Sequence, residues 1–195
     1  PFCGDPLKYA IKTDLSNHYD FKNLFAKTIK DFLKEGIFSF REQGLLTNGN
    51  QTAGDLFSEK KELLKKIKDI IHLEVDRYYE YFKDSNEGFI KNWPKSYEIN
   101  AWLVNMKSGG SLSPHIHELG WLSGSVYINV PPKSETDSGN LVVCMGDNKY
   151  EKNKKKIMDV ITGSLCLFPS SLYHYTVPFD SKENRIVLAF DVLTN

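Results

Sequence analysis

The residues best suited to chemistry are two histidines separated by one residue, His115 and His117, in the segment Pro114-His115-Ile116-His117. The segment has the character of a β-strand, and alternate side chains of a strand share a face, so both imidazoles can reach one ion. A third histidine, His174, follows a distant apolar strand and turn. Neutral imidazoles bind first-row metals, and three of them on one face leave coordination positions open. The pattern predicts a metal site, although an isolated H-x-H pair is more often an ordinary surface feature.

Farther along the chain, Arg185 stands at the start of the apolar run 186–190. Its guanidinium is therefore expected beside a core rather than among other charges. Because a guanidinium can bind a carboxylate through two parallel hydrogen bonds, this position suits an anionic co-substrate next to the metal. The alternative is a strand-edge arginine that pairs with Glu183.

The elements that must position these residues fall into a helical half and a strand-like half. Apolar residues recur at helical spacing from Asp20 to Lys34, followed by Gly36 as a stop, and again from about Ser58 to Lys83. The second apolar stripe consists of Leu63, Ile67, Ile70, Ile71, Val75, Tyr78 and Phe82. Between the helices, the turn formers of Gly44–Gln51 predict a loop.

Short apolar runs take over after Trp93-Pro94, separated by turns rich in Gly, Pro, Ser and Asp. The runs cover residues 97–106, 123–130, 140–145, 157–161, 164–168, 172–177 and 185–193. Many short strands at this spacing predict a sandwich or a barrel. Helices followed by strands indicate an α+β fold. We expect a single domain, 1–195, in which 1–92 is mainly helical support and 93–195 is the β core.

Composition limits the classes of partner. The chain has 25 basic and 25 acidic residues, so no net field favours a nucleic acid, and no apolar run is long enough for a membrane. The one basic cluster, Lys149–Lys156, is predicted to be a solvated hairpin. Three cysteines without a C-x-x-C pair predict free thiols, with Cys144 and Cys166 buried, and a reduced, cytoplasmic location.

The second half of the chain resembles the Fe(II)/2-oxoglutarate-dependent dioxygenases. Within them it is similar to oxygenases with an H-x-H motif, whose domain often follows tetratricopeptide repeats or occurs in phage and marine bacteria. Four segments carry the resemblance: Gly109–His117, Trp121–Asn129, Gly163–His174 and Asn184–Asp191. The match is good over about residues 97–193 and loose over the helical half.

The resemblance implies a double-stranded β-helix, or jelly roll, with iron at its open mouth and with His115 and His174 as ligands. Relatives carry Asp or Glu where this chain has His117. The third ligand is therefore His117, Glu118 or water, and His117 is favoured because Glu118 would point to the opposite face of a strand. No catalytic residue beyond the metal ligands is implied.

The resemblance also implies that Arg185 binds the distal carboxylate of 2-oxoglutarate. Relatives usually place a hydroxyl two residues after this arginine, where the chain has Val187. A further donor is then needed, and Tyr127 is the predicted one. Asn105 resembles a position that faces the co-substrate. A core or ladder role is the alternative for both Tyr127 and Asn105.

Four further features are expected near the mouth. Trp121 and Ser123 are candidate pocket residues, with packing as the favoured role of Trp121. The Gly44–Leu56 loop and a hairpin around Lys133–Ser138 are candidate lids over the mouth.

The activity that the resemblance implies is an oxidation that uses Fe(II), 2-oxoglutarate and dioxygen, with hydroxylation of a substrate C–H bond as the default outcome. A peptidyl or a small-molecule substrate is expected, and the sequence does not choose between them. Two other classes of protein stay open. One is a non-catalytic jelly-roll module that binds a metal or a small ligand, and the other is a three-histidine, cupin-like dioxygenase that does not use 2-oxoglutarate.

Overall fold

The computed structural model describes residues 2–146 and 154–194, and antiparallel β-strands dominate this part of the chain. The strands are β1 (Ile11–Asp14), β2 (Phe40–Arg41), β3 (Leu46–Thr52), β4 (Tyr97–His115), β5 (Gly120–Asn129), β6 (Leu141–Cys144), β7 (Lys155–Met158), β8 (Ser164–Pro169), β9 (Tyr173–Thr176) and β10 (Arg185–Thr194). Seven of them correspond to the apolar runs predicted from the sequence.

The strands form one sheet that curls on itself. Its order is β1-β8-β5-β10-β4-β9-β6-β7, with β3 on β4 and β2 on β3. The long strand β4 joins two halves of the sheet, because its first part pairs with β10 and its last residues pair with β9. The outer strands approach each other, where Lys12 and Lys156 donate hydrogen bonds to the carbonyl oxygens of Asp159 and Ala10. This nearly closed antiparallel sheet confirms the predicted double-stranded β-helix.

Helices cover one face of the sheet. A π-helical segment (Lys22–Lys27) continues into α1 (Thr28–Lys34), and α2 (Glu62–Phe82) and α3 (Gly88–Lys91) follow. Together with residues of β4, β5, β8 and β10 they form the largest apolar cluster. Both predicted helices are confirmed, and Gly36 follows α1 with a φ of 66°, as expected of a stop residue.

The buried stripe of α2 differs from the prediction at its first residue. Leu64 is buried, whereas the predicted Leu63 is 41% exposed, and Ile70 is only partly buried. The other five predicted positions are buried: Ile67, Ile71, Val75, Tyr78 and Phe82. Two adjacent leucines near the start of the helix leave the helical period ambiguous by one residue, so the sequence did not decide which one faces the core.

The prediction of a loop at Gly44–Gln51 is wrong, because β3 occupies most of it and pairs with β4. The turn formers lie where the pairing of the two strands is irregular: Thr47 pairs with Ser111 and Gly49 with Met106, so Asn48, with a φ of 47°, lies opposite residues 107–110 of β4. A Cβ on Gly49 would lie 2.8 Å from the carbonyl oxygen of Asn105. Glycine at this position therefore permits close approach of β3 and β4. Residues 1–92 contribute strands to the sheet as well as helices.

Two predicted hairpins have different outcomes. Residues 131–140 form turns rather than strands, so the hairpin expected at Lys133–Ser138 is wrong. The amine of Lys133 instead donates to the side chains of Asn140 and Asp159. β6 and β7 do pair as a hairpin, but most of the predicted basic cluster lies at 147–153, outside the described residues.

Cys3, Cys144 and Cys166 form no disulfide within the described residues, and Cys144 and Cys166 are buried, as predicted. Burial raises the pKa of the Cys166 thiol to about 12, so it stays protonated at neutral pH. Within residues 2–146 and 154–194, no helix has the length and apolar character needed to cross a membrane.

The packing of the sheet against the helices can be tested at Gly124 in β5. A Cβ added there would overlap three atoms of the ring of Phe190, which is 1% exposed. We expect Gly124→Ala to lower the free energy of unfolding by about 1–3 kcal/mol, because the ring has to move within a filled core. Denaturant titration measures the change. Gly44→Ala is the control, since nothing lies within 4 Å of its added Cβ; equal unfolding midpoints for both variants would contradict this packing.

Candidate metal centre

The three predicted histidines converge at one end of the sheet. His115 ends β4 and is in register with His174 of β9. His117 lies beyond the strand, in the turn to β5, where its backbone N–H donates to the carbonyl of Ser170. The ligand atoms of the three rings lie within 4.8 Å of one another, and the Nε2 atoms of His115 and His117 are 3.1 Å apart. His117 therefore reaches His115 and His174 because of the turn after β4. The alternation of side chains along a strand, which the sequence suggested, is not the cause.

Hydrogen bonds at the far side of each ring determine which nitrogen is free. Each Nδ1 faces an oxygen acceptor: the carbonyl of Ser113 for His115 (2.8 Å), the carboxylate of Asp191 for His117 (2.7 Å) and the carbonyl of Leu172 for His174 (3.3 Å). A neutral imidazole that donates through Nδ1 keeps its lone pair on Nε2. All three Nε2 lone pairs are therefore available to one ion.

Burial favours the neutral, metal-binding form of His115 and His174. Desolvation lowers the pKa of His115 and holds the pKa of His174 well below its ordinary value, and the neighbouring rings add to both effects. Among the described residues no carboxylate joins the three histidines as a possible metal ligand. Glu118 is exposed in the turn. Of the candidates for the third ligand, the geometry favours His117.

Arg185 is buried on the same inner face without an acidic partner. The residue is 2% exposed, its Nε donates to the carbonyl of Gly139 (3.2 Å), and one terminal nitrogen contacts the sulfur of Met106 (3.8 Å). Desolvation lowers the pKa of the guanidinium. No ion pair joins it to Glu183 or to any other acid in the described parts of the chain, so the strand-edge alternative is wrong. A buried cation without a counter-charge is costly and suits an anionic ligand.

Tyr127 lies directly beside this cation. The guanidinium carbon of Arg185 is 5.0 Å from the centre of the Tyr127 ring, and the phenol oxygen accepts a hydrogen bond from Ser125 (3.3 Å). Burial raises the pKa of Tyr127, so its hydroxyl keeps its proton and can donate. Val187 also faces the cavity but has no hydrogen-bond donor, so the Tyr127 hydroxyl stays the predicted second donor beside the arginine.

A single cavity of about 800 Å³ contains these groups. The three histidines, Arg185, Tyr127 and Ser123 all line it, as predicted. Residues of the predicted lid segment 44–56 form one wall of the cavity, as part of β3 and the turn after it.

Two other predicted positions do not line the cavity. On β4, Val104 and Met106 face it, so Asn105 between them points to the other side of the sheet, into a groove with Lys30; the co-substrate role predicted for Asn105 is wrong. Trp121 stacks on Phe89, with ring centres 5.8 Å apart, and has the packing role that was favoured.

The sequence interpretation missed Asp191, Ser170 and Asn100. Asp191 accepts from His117 and from Ser123, and Ser123 in turn bonds Ser170. A signal was present, because period-two alternation from Arg185 along β10 places Val187, Ala189 and Asp191 on the cavity face. Nothing in the sequence indicated Asn100, whose side-chain oxygen is buried without a partner at the cavity wall.

Solved structures of low sequence identity share this fold. A prolyl hydroxylase from Trichoplax adhaerens, in complex with a peptide fragment of the hypoxia inducible factor oxygen degradation domain, is 15% identical with a TM-score of 0.66, covering 97% of this chain and 84% of its own. HygX from Streptomyces hygroscopicus, with nickel, 2-oxoglutarate and hygromycin B bound, is 10% identical with a TM-score of 0.64. The match covers 95% of this chain and 83% of the HygX chain. The α-ketoglutarate-dependent epimerase SnoN from nogalamycin biosynthesis is 9% identical with a TM-score of 0.68. The match covers 95% of this chain and 76% of the SnoN chain.

The fold is therefore that of the Fe(II)/2-oxoglutarate oxygenases. More particularly, residues 100–191 match the sequence profile of a family described as "Putative 2OG-Fe(II) oxygenase", which confirms the resemblance found in the sequence. No curated protein sequence is significantly similar to the chain. The predicted cofactors, Fe(II), 2-oxoglutarate and dioxygen, are those of the matched class. The donor set fits them, with three imidazoles for iron and a buried guanidinium without an acidic partner for a dicarboxylate.

The cost of the unpaired cation can be measured without any ligand. We expect Arg185→Met to leave the free energy of unfolding unchanged or to raise it, by no more than about 4 kcal/mol, because an apolar side chain replaces a buried charge that has no counter-ion. Arg77→Met is the matched control, since Arg77 pairs with the buried carboxylate of Glu74 (2.6 Å) and its loss should lower stability. Denaturant titration of the metal-free proteins tests both. A clear loss of stability in Arg185→Met would show that the guanidinium is satisfied within the protein.

Proposed function

We propose that this protein is an Fe(II)- and 2-oxoglutarate-dependent dioxygenase that hydroxylates a C–H bond of a polar peptidyl or small-molecule substrate. One observation carries the proposal: three imidazoles with free Nε2 atoms and a buried, unpaired guanidinium line the same cavity. Either feature alone is found in proteins without this chemistry. Together they match the needs of a metal and of an anionic co-substrate.

Each residue has a defined task in this proposal. His115, His117 and His174 would hold Fe(II) through their Nε2 atoms. Arg185 binds the distal carboxylate of 2-oxoglutarate by paired hydrogen bonds, and the Tyr127 hydroxyl adds a donor. Burial of both residues excludes water from the co-substrate end and strengthens these bonds.

When bound, iron, 2-oxoglutarate and dioxygen supply the oxidation: a substrate C–H bond becomes C–OH, while 2-oxoglutarate and the second oxygen atom give succinate and carbon dioxide. Hydroxylation is the default outcome of this chemistry. The fold by itself does not fix the outcome, because the similar structure SnoN is named as an epimerase.

Polar groups of the cavity lining favour a substrate that can form hydrogen bonds. Gln51, Asp55 and Asn100 line the cavity together with Trp102. The buried Asn100 oxygen has no partner, and a buried acceptor gains most when a ligand supplies an N–H or O–H donor. Such donors occur in peptides and in polyols or amino sugars. The similar structures with a bound peptide fragment and with hygromycin B are consistent with either class.

The decisive experiment follows the weak visible band of the Fe(II)–2-oxoglutarate chelate under anaerobic conditions. We expect the wild-type protein to develop the band and His174→Ala to lack it, because a ligand is lost. Arg185→Ala should need at least about 30-fold more 2-oxoglutarate, since removing one partner of a buried charge pair costs 2–5 kcal/mol. His18→Ala, at an exposed histidine, should behave as wild type. An undiminished band in both site variants would contradict the proposal.

Oxygenated assays then separate the rival functions. A 2-oxoglutarate oxygenase releases succinate, and polar compounds with N–H or O–H groups should raise the rate above the uncoupled level. A three-histidine dioxygenase of the cupin type should consume oxygen without any response to 2-oxoglutarate. A non-catalytic module should bind metal or ligand and yield no succinate with any compound of the panel.

A further inference from the structure

A buried hydrogen-bond network ends at Asp191, directly behind the metal-facing histidines. One carboxylate oxygen of Asp191 lies 2.7 Å from Nδ1 of His117 and 2.7 Å from the hydroxyl of Ser123, and that hydroxyl lies 2.8 Å from the hydroxyl of Ser170. The residues Ser123, Ser170 and Asp191 are 1%, 0% and 9% exposed. This degree of burial makes an unsatisfied hydrogen bond costly at each of them.

The donors and acceptors of this network can be placed in only one consistent direction toward an ionised carboxylate. Ser170 donates to Ser123, Ser123 donates to Asp191, and Asp191, as an acceptor only, accepts a second hydrogen bond from Nδ1–H of His117. His117 is thereby held in the tautomer that leaves Nε2 free. The ends of two strands hold the network in place: Asp191 is opposite Ser123 across the β10–β5 pair.

The chain also leaves room for the network at Gly120. A Cβ on this glycine would lie 2.5 Å from the hydroxyl oxygen of Ser170 and 3.4 Å from the carboxyl carbon of Asp191. Any larger residue would therefore press on the hydroxyl or the carboxylate. The absence of a side chain here fits a site in which these polar groups keep fixed positions.

We propose that Asp191 is a positioning residue of the metal centre, which acts through His117 in two ways. It fixes the ligand tautomer and orientation of that ring, and it restores to the site the negative charge that an Asp or Glu ligand would supply and that three neutral imidazoles lack. The inference rests on the proposed function. A carboxylate behind a metal-bound histidine makes the imidazole a stronger donor to the ion.

The test compares metal affinity in Asp191→Asn and Glu118→Gln, with Co(II) as the probe in competition titrations against a chromophoric chelator. Each variant removes one carboxylate near the cavity, but only Asp191 contacts a histidine of the cluster. We expect Asp191→Asn to bind Co(II) about 10–100-fold more weakly and Glu118→Gln to match wild type. Ser123→Ala, which removes the second donor to Asp191, should lie between them.

A second measurement separates positioning from a purely structural role. Nitrogen-15 NMR of the metal-free protein reports which ring nitrogen of His117 carries the proton. We expect Nδ1–H in wild type and a shift toward Nε2–H in Asp191→Asn, because the amide group can turn its N–H₂ toward Nδ1. Thermal melting shows whether the variants are folded. If Asp191→Asn does not fold, the Co(II) affinity of Ser123→Ala and the protonated ring nitrogen of wild-type His117 still test the inference.

The inference is overturned if Asp191→Asn or Ser123→Ala retains wild-type affinity for Co(II), or if wild-type His117 carries its proton on Nε2. Equal losses in Asp191→Asn and Glu118→Gln would also overturn it, because the effect would then be one of general charge. Failure of the proposed function looks different: wild-type protein itself would show no binding of Co(II) and no chelate band with Fe(II) and 2-oxoglutarate.

Discussion

The functional interpretation depends on the hydrogen bonds that hold three imidazoles by their Nδ1 atoms. Two backbone carbonyls and one carboxylate accept these bonds, and as a result three Nε2 lone pairs are directed into one small volume. Packed neutral rings with unpaired acceptors are unfavourable in a buried site unless an ion or a ligand binds them. The strand pairing of β4 with β9 and the tight turn after β4 keep the rings together despite this cost.

Strand β10 organises the electrostatics of the cavity. Its inner face begins with the cation Arg185 and reaches the anion Asp191 six residues later, a distance of roughly 20 Å at the usual rise of a strand. The positive end is suited to a dicarboxylate, and the negative end supports the side where a metal cation is expected. The short apolar residues Val187 and Ala189 between them leave room for a ligand. One face of β10 therefore carries a cation and a carboxylate at opposite ends of the cavity.

Much of this arrangement could be predicted from the sequence because it depends on local patterns. Apolar residues at helical spacing identified both helices, and short apolar runs between turns identified seven strands. The H-x-H, His174 and Arg185 positions identified the principal groups of the site. The errors arose where tertiary contacts decide. β3 was mistaken for a loop because its Asn and Gly residues lie where its pairing with β4 is irregular. Asn105 was placed on the wrong face because its assignment followed the family resemblance and not the alternation of side chains along β4. Alternation from Arg185 places Asp191 on the cavity face, but its contact with His117 depends on the turn after β4.

The measurement that tests the central claim most directly is a crystal structure of the protein prepared anaerobically with Fe(II) and 2-oxoglutarate, with iron located by its anomalous scattering. The account predicts a single iron bonded to Nε2 of His115, His117 and His174, with the distal carboxylate of 2-oxoglutarate on Arg185. Iron bonded elsewhere, or an Arg185 guanidinium without the carboxylate while 2-oxoglutarate is bound at another place, would contradict it.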